Sequence, residues 1–183
     1  MKFFDVLPQL AENELLKRGV MTDELLYCVK ADLDGEGGYV DVYITFTKDT
    51  LCILRGYEEY GKMKRGQKRK NLVSFTVSGY DEYPIDSIEE MYVDRYANSA
   101  RLMIKDKSGK EFPIARFSLG FADKFEKFSQ RVNCTAKNEP IDDRLLEGVK
   151  THCPTCGISH TAHHSFKQRF CGAFADIRLS DAL

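Results

Sequence analysis

The residues best suited to chemistry gather after Thr151. All four histidines, His152, His160, His163 and His164, fall there, with three of the six cysteines, Cys153, Cys156 and Cys171. Cys153-Pro154-Thr155-Cys156-Gly157 has the form of a metal knuckle. Two thiolates three positions apart on a tight turn face one tetrahedral ion, and the following glycine allows the backbone angles that the turn demands. A structural zinc site takes four ligands. Cys171 supplies a third, and one of His160, His163 and His164 a fourth; a second knuckle would need cysteine at position 174, where the chain has Phe174. The competing reading is a decayed or truncated ribbon that holds no metal. A redox role fits less well, because no thioredoxin-like βαβ pattern surrounds the pair.

Two other stretches invite a chemical reading. Gly56-Tyr57-Glu58-Glu59-Tyr60-Gly61-Lys62-Met63 is close to a phosphate-binding loop. Met63 stands where Ser or Thr must reach magnesium, and Glu58 and Glu59 would face an anionic phosphate, so no nucleotide site is expected. The second stretch is basic: Lys62, Lys64, Arg65, Lys68, Arg69 and Lys70. On a loop between strands such a run either is simply solvated or meets an anionic surface, at about 1 kcal/mol per basic residue near anionic lipid. Nucleic acid is a weaker fit, since Lys167, Arg169 and Arg178 are the only basic residues in the tail after the knuckle. With every histidine in the tail, the rest of the chain has no imidazole to act as general base, and its carboxylates show no acid/base spacing. The expectation is a protein without catalytic residues.

The elements that must carry these residues follow from hydrophobic period. Phe3 to Arg18, with Pro8 near its start, reads as a short interrupted helix within a preface, residues 1–20. From Asp23 the period becomes two, ending at an Asp34-Gly35 turn. Val40, Val42, Ile44 and Phe46 then alternate with Asp41, Tyr43, Thr45 and Thr47, the pattern of a half-buried antiparallel strand. Further strands are expected at 51–54, 72–77, 90–96, 101–105 and 111–117. Phe121, Phe125, Phe128 and Val132 recur at helical spacing behind Ser118, a candidate N-cap, which predicts an amphipathic helix from Ser118 to Asn133. Its apolar stripe needs the open face of the preceding sheet. The result is a mainly β (α+β) chain: a pleckstrin-homology-like antiparallel sandwich or barrel over residues 21–135, capped by that helix, then a linker at 136–151 and a Cys/His tail at 152–183.

Net charge is −1, and no run is long and apolar enough to cross a bilayer as a helix. Residues 1–19 also lack the pattern of a secretory signal. Cys28 and Cys52 sit in apolar strands, so reduced thiols and a cytoplasmic setting are expected.

Several segments carry a resemblance. Leu26-Tyr27-Cys28-Val29-Lys30-Ala31-Asp32-Leu33-Asp34, Tyr43-Ile44-Thr45-Phe46-Thr47-Lys48-Asp49, Ile85-Asp86-Ser87-Ile88-Glu89 and Ala115-Arg116-Phe117-Ser118 occur in that order before an aromatic helix. Together they resemble the cytosolic N-terminal extension of a group of bacterial ATP-binding-cassette exporters. The resemblance implies a pleckstrin-homology-like domain followed by a Cys-x-x-Cys ribbon, with transport and ATP hydrolysis housed in other parts of the parent. The expected role is a regulatory or docking module with a protein partner, a membrane transporter, at the inner face of the plasma membrane. A free-standing adaptor for anionic lipid or protein is the alternative, with weak anionic-membrane contact through the basic run. A zinc-ribbon nucleic-acid binder is the third.

Overall fold

The computed structural model describes residues 5–62, 71–140, 151–152 and 159–160. The chain divides into two compact units, Met1–Pro140 and Ile141–Leu183. The first opens with helix α1 (Gln9–Leu16) and continues through β1 (Tyr27–Asp34), β2 (Tyr39–Phe46), β3 (Thr50–Tyr60), β4 (Leu72–Pro84), β5 (Ile88–Arg95), β6 (Ser99–Asp106), β7 (Glu111–Ser118) and helix α2 (Ala122–Ala136). In the second unit only the short strands β8 (Thr151–His152) and β9 (Ser159–His160) are described, paired antiparallel.

Strands β1 to β7 form one antiparallel sheet in the order β4-β3-β2-β1-β7-β6-β5. The β1–β7 ladder is short, running only through Leu33–Arg116 and Asp34–Ala115, so the sheet parts on either side of that seam. The β1–β4 half and the β5–β7 half bury one continuous core, with Val42, Ile44, Phe46 and Ile53 from the first against Met91, Leu102, Ile104 and Phe117 from the second. This is the packing of a β sandwich.

Helix α2 closes that core. Ala122, Phe125, Phe128 and Val132 are buried. Phe125 stacks on Phe117 at 3.7 Å between ring centroids, and Phe128 meets Phe46 edge-on at 5.4 Å. The helix begins later than its spacing suggests. A 3-10 turn at Leu119–Phe121 occupies the expected first turn, Phe121 takes the N-cap position, and Ser118 makes no side-chain cap bond. Phe121 therefore leaves the buried stripe: it is 42% exposed, with the Lys124 ammonium 5.2 Å from its ring.

Strand β2 departs from the expected half-buried pattern. Tyr43 and Thr45, on the face read as polar, are 2% and 1% exposed. The cause is tertiary, because α1 lays Ala11 and Leu15 over Cys28, Tyr43, Cys52 and Leu54 on that outer face.

Both edges of the sheet are guarded. On β5, the Asn133 side chain of α2 donates to Met91 O (2.9 Å) and accepts from Met91 N–H (2.8 Å), substituting for a neighbouring strand. On β4 the register slips twice against β3, leaving Val73 and Ser78 as extra residues, and such bulges bend an edge away from pairing. The second slip also explains the glycine of the loop-like motif. Gly56 lies inside β3, where a Cβ would stand 2.5 Å from the Phe75 ring and 2.7 Å from Thr76 O.

Candidate functional site

The outer face of β1–β3 carries the main charged cluster of the first unit. Register brings Lys30 opposite Tyr43 and Asp41 opposite Gly56, two residues before Glu58. The Lys30 Nζ donates to Glu58 Oε2 at 2.5 Å and to Asp41 Oδ1 at 2.8 Å. The hydroxyls of Tyr43 and Tyr60 donate to the two Glu58 oxygens, and Glu58 N–H donates to Asp41 Oδ2 at 3.0 Å. The Glu58 side chain is only 3% exposed.

Lys30 and Glu58 are held in their charged forms and the tyrosines in their neutral ones. Burial opposes the Lys30 charge, but the hydrogen bonds to Asp41 and Glu58 outweigh it and push its pKa up. Burial likewise opposes ionisation of Glu58, yet the bonds from Lys30, Tyr43 and Tyr60 prevail and hold its pKa below the usual value. Burial, reinforced by the Glu58 carboxylate, pushes the Tyr43 hydroxyl well up. The ammonium is therefore charged, the glutamate ionised and the phenol neutral across the physiological range. A general acid or base works with a pKa near the ambient pH. This cluster has the proton distribution of a clamp that ties three strands together.

Beside it lies the seam where β1 and β7 part. Asp5 supplies what the missing ladder would have given β1: its N–H donates to Cys28 O (2.9 Å) and its carboxylate accepts from Lys30 N–H (2.6 Å). Lys124 from α2 bonds the same carboxylate at 2.6 Å. A cavity of about 380 Å³ opens there, with Asp32, Tyr39, Arg116, Phe121 and Lys124 in its wall. All three of its cations are already engaged, Lys30 by Asp41 and Glu58, Lys124 by Asp5 and Arg116 through an Nε–H bond to Gly35 O at 2.9 Å.

Of the residues singled out by sequence, Lys62 is exposed just beyond β3, and Gly61 N–H closes the hairpin base on Asn71 O at 2.9 Å. Lys64, Arg65, Lys68, Arg69 and Lys70 lie outside the described residues, as do Cys153, Cys156, Cys171, His163 and His164. His160 is placed through its backbone, opposite Thr151, and His152 opposite Ser159. The described residues contain no group of three potential metal-ligating side chains. Cys28 and Cys52 are buried, which pushes the Cys28 thiol up to about 12 and raises that of Cys52. They are packing residues rather than nucleophiles.

The Lys30 cluster escaped the sequence reading because its members sit far apart in the chain. Only strand register unites them, and the available signal was charge at the alternate positions 30, 41 and 58 of strands otherwise rich in apolar residues. No family model, curated protein or solved structure matches the chain.

Proposed function

We propose that this chain is a non-catalytic docking and regulatory module, pleckstrin-homology-like in its first unit, belonging to or derived from an ATP-binding-cassette export transporter and working at the inner face of the membrane. The observation that supports the reading is the strand order β4-β3-β2-β1-β7-β6-β5 followed by a helix packed into the core, as expected of a pleckstrin-homology-like domain. The Lys30 cluster adds support, since its charged groups are spent on one another. The membrane genes are the test. The reading frame beyond codon 183, or an adjacent gene, should encode membrane-spanning helices and an ATPase; a genomic setting with neither sinks the exporter assignment.

In the second unit, the reading gives one zinc to Cys153, Cys156, Cys171 and one of His160, His163 and His164. Antiparallel pairing of 151–152 with 159–160, which flank the Cys-x-x-Cys segment in sequence, supports it. Thiolate and imidazole are the ligands zinc prefers. Cobalt added under reducing conditions should give intense tetrahedral thiolate bands that Cys171→Ser weakens; no spectral change would leave the segment without a metal role.

One observation favours the lipid-adaptor reading. In sequence the basic run falls between β3 and β4, strands whose Tyr57, Tyr60 and Val73 are exposed, and exposed amphipathic rings suit a headgroup layer. Flotation with phosphatidylserine vesicles should show salt-sensitive binding that is lost when Lys68, Arg69 and Lys70 are neutralised together. Binding that survives both changes would point to a different surface.

A further inference from the structure

A second cavity, of about 590 Å³, opens between the end of β4, the start of β5 and the β6–β7 turn. Its volume lies within the roughly 300–1,000 Å³ of small-molecule sites. Ile88 and Ile104, both buried, form its floor. Tyr83 and Phe112 form a wall, with ring centroids 5.3 Å apart. Lys107 and Lys110 stand exposed at the rim.

The rim carries two ammonium groups against one carboxylate, and that carboxylate is tied into the turn. Asp106 Oδ1 accepts from Ser108 N–H (2.9 Å), Ser108 Oγ–H (2.5 Å) and Lys110 N–H (3.0 Å), holding the turn in shape. The side-chain bond from Ser108 leads in keeping the Asp106 pKa low, so the group stays ionised with Oδ1 as the acceptor that shapes the turn. Neither rim lysine forms a direct ion pair among the described residues, although Lys110 feels the nearby Asp106 charge and its Nζ lies 5.9 Å from the centre of the Phe112 ring. The turn is braced from the other side by Lys107 N–H donating to Ser87 O at 3.0 Å, so the cations are carried on a fixed loop. The Tyr83 hydroxyl has no hydrogen-bond partner among the described residues, and burial raises its pKa, which leaves it a neutral donor.

We infer that this cavity binds a small amphiphilic anion, with an apolar body against Tyr83, Phe112, Ile88 and Ile104 and a carboxylate, sulfonate or phosphate at Lys107 and Lys110. An apolar floor under two ammonium groups that form no direct ion pair favours that ligand class over a neutral apolar molecule, which would leave the ammonium groups unused, and over a bare phosphate, which would gain nothing from the rings. The site is separate from the basic β3–β4 hairpin and stands whether or not the exporter reading holds.

The test is a titration of the full chain, followed by amide chemical shifts, with naphthalene-2-sulfonate, octanoate and the neutral naphthalene-2-methanol. The anions should saturate at one site and shift Ser87, the 107–110 turn and Phe112. Lys107→Gln with Lys110→Gln, both at exposed positions, should weaken the anions roughly tenfold while leaving the neutral compound unchanged. Phe112→Leu should weaken all three. The same shifts produced by phosphatidylserine vesicles and absent with octanoate would assign the anion to a lipid headgroup; their appearance with octanoate would assign it to a free amphiphile. Absence of saturable shifts with every probe, shifts confined to other surfaces, or anion affinity indifferent to both lysines would overturn the site.

Discussion

The two faces of the β1–β4 half are each covered by a helix, and they are covered differently. The inner face meets α2 through Phe46 against Phe128, while Phe117 of β7 stacks on Phe125 in the same, mainly apolar core. The outer face meets the shorter α1 through Ala11 and Leu15, and a few residues along the same strands it turns into the Lys30–Glu58–Asp41 clamp. One face thus holds the two halves of the sandwich together, while the other splits its area between packing and charge. Loss of the inner helix would open the core that the two halves share. Loss of the outer helix would expose only the smaller cluster, so it can undock as a local event below the free energy of global unfolding.

That difference predicts unequal costs. Phe128→Ala should be the most damaging change, at about 3–5 kcal/mol, because the ring is fully buried between Phe46 and the rest of the core. Chemical denaturation should show the midpoint falling with an unchanged slope. Leu15→Ala, also at a fully buried site, should cost less, about 2–3 kcal/mol, because undocking of α1 limits the penalty. Peptide-mapped alkylation reads this directly. Cys28 and Cys52 should become reactive in Leu15→Ala under conditions where the sheet is still folded, and in Phe128→Ala only with global unfolding. Equal protection of both thiols in the two variants would break the distinction between the faces.

The inner face was legible in the sequence and the outer one was not. Alternation at Val40, Val42, Ile44 and Phe46 and helical spacing at Phe125, Phe128 and Val132 are local signals, and both mark buried residues. Tyr43 and Thr45 look like solvent-facing partners until α1 is known to lie over them, and an eight-residue helix with two buried side chains leaves a faint periodic trace. The length of β3 was concealed by Gly56, a residue that reads as a breaker but is needed for close approach to β4. Strand β4 was curtailed for a related reason, since Ser78-Gly79 follows Val77 and reads as a turn where the structure has a bulge. Candidate sites divide the same way. Cys153 and Cys156 announce themselves by spacing, whereas the Lys30 cluster and the cavity beneath Tyr83 and Phe112 arise from register and from the meeting of distant strands.

The charged part of the outer face has a pH signature of its own. Glu58→Gln should cost about 1–3 kcal/mol at neutral pH, since it removes the nearly buried charge that accepts from Lys30, Tyr43 and Tyr60. The folded-state pKa of Glu58 lies below the 4.5 of the free side chain. Its contribution is therefore complete above about 4.5 and is lost as pH falls through the lower folded value. Thermal stability of the native sequence and of Glu58→Gln should differ by a constant amount from pH 7 to 5 and converge below that. A gap that stays constant into the acid range would mean that the carboxylate charge is not what the clamp uses.

The smallest effect sharpens the reading of the inner face. Asn133 ties α2 to β5 with two bonds to Met91, and Asn133→Ala would leave an edge-strand N–H and C=O without those partners. Met91 is itself buried, so water cannot restore both bonds freely, and the cost should be about 1–2 kcal/mol. The rings of Phe125 and Phe128 would still hold the helix down, so the sheet and the thiol protection of Cys28 and Cys52 should be unaffected. Amide hydrogen exchange separates the local from the global change: the Met91 N–H should exchange faster by more than the loss of overall stability accounts for, while core amides such as Ile104 follow the global value. If Met91 slows or keeps pace with the core, the amide clip is incidental and apolar packing alone docks α2. If instead all of α2 loses protection together, the two hydrogen bonds are what set the helix in place, and the contrast between a ring-packed inner face and a polar outer face would have to be redrawn.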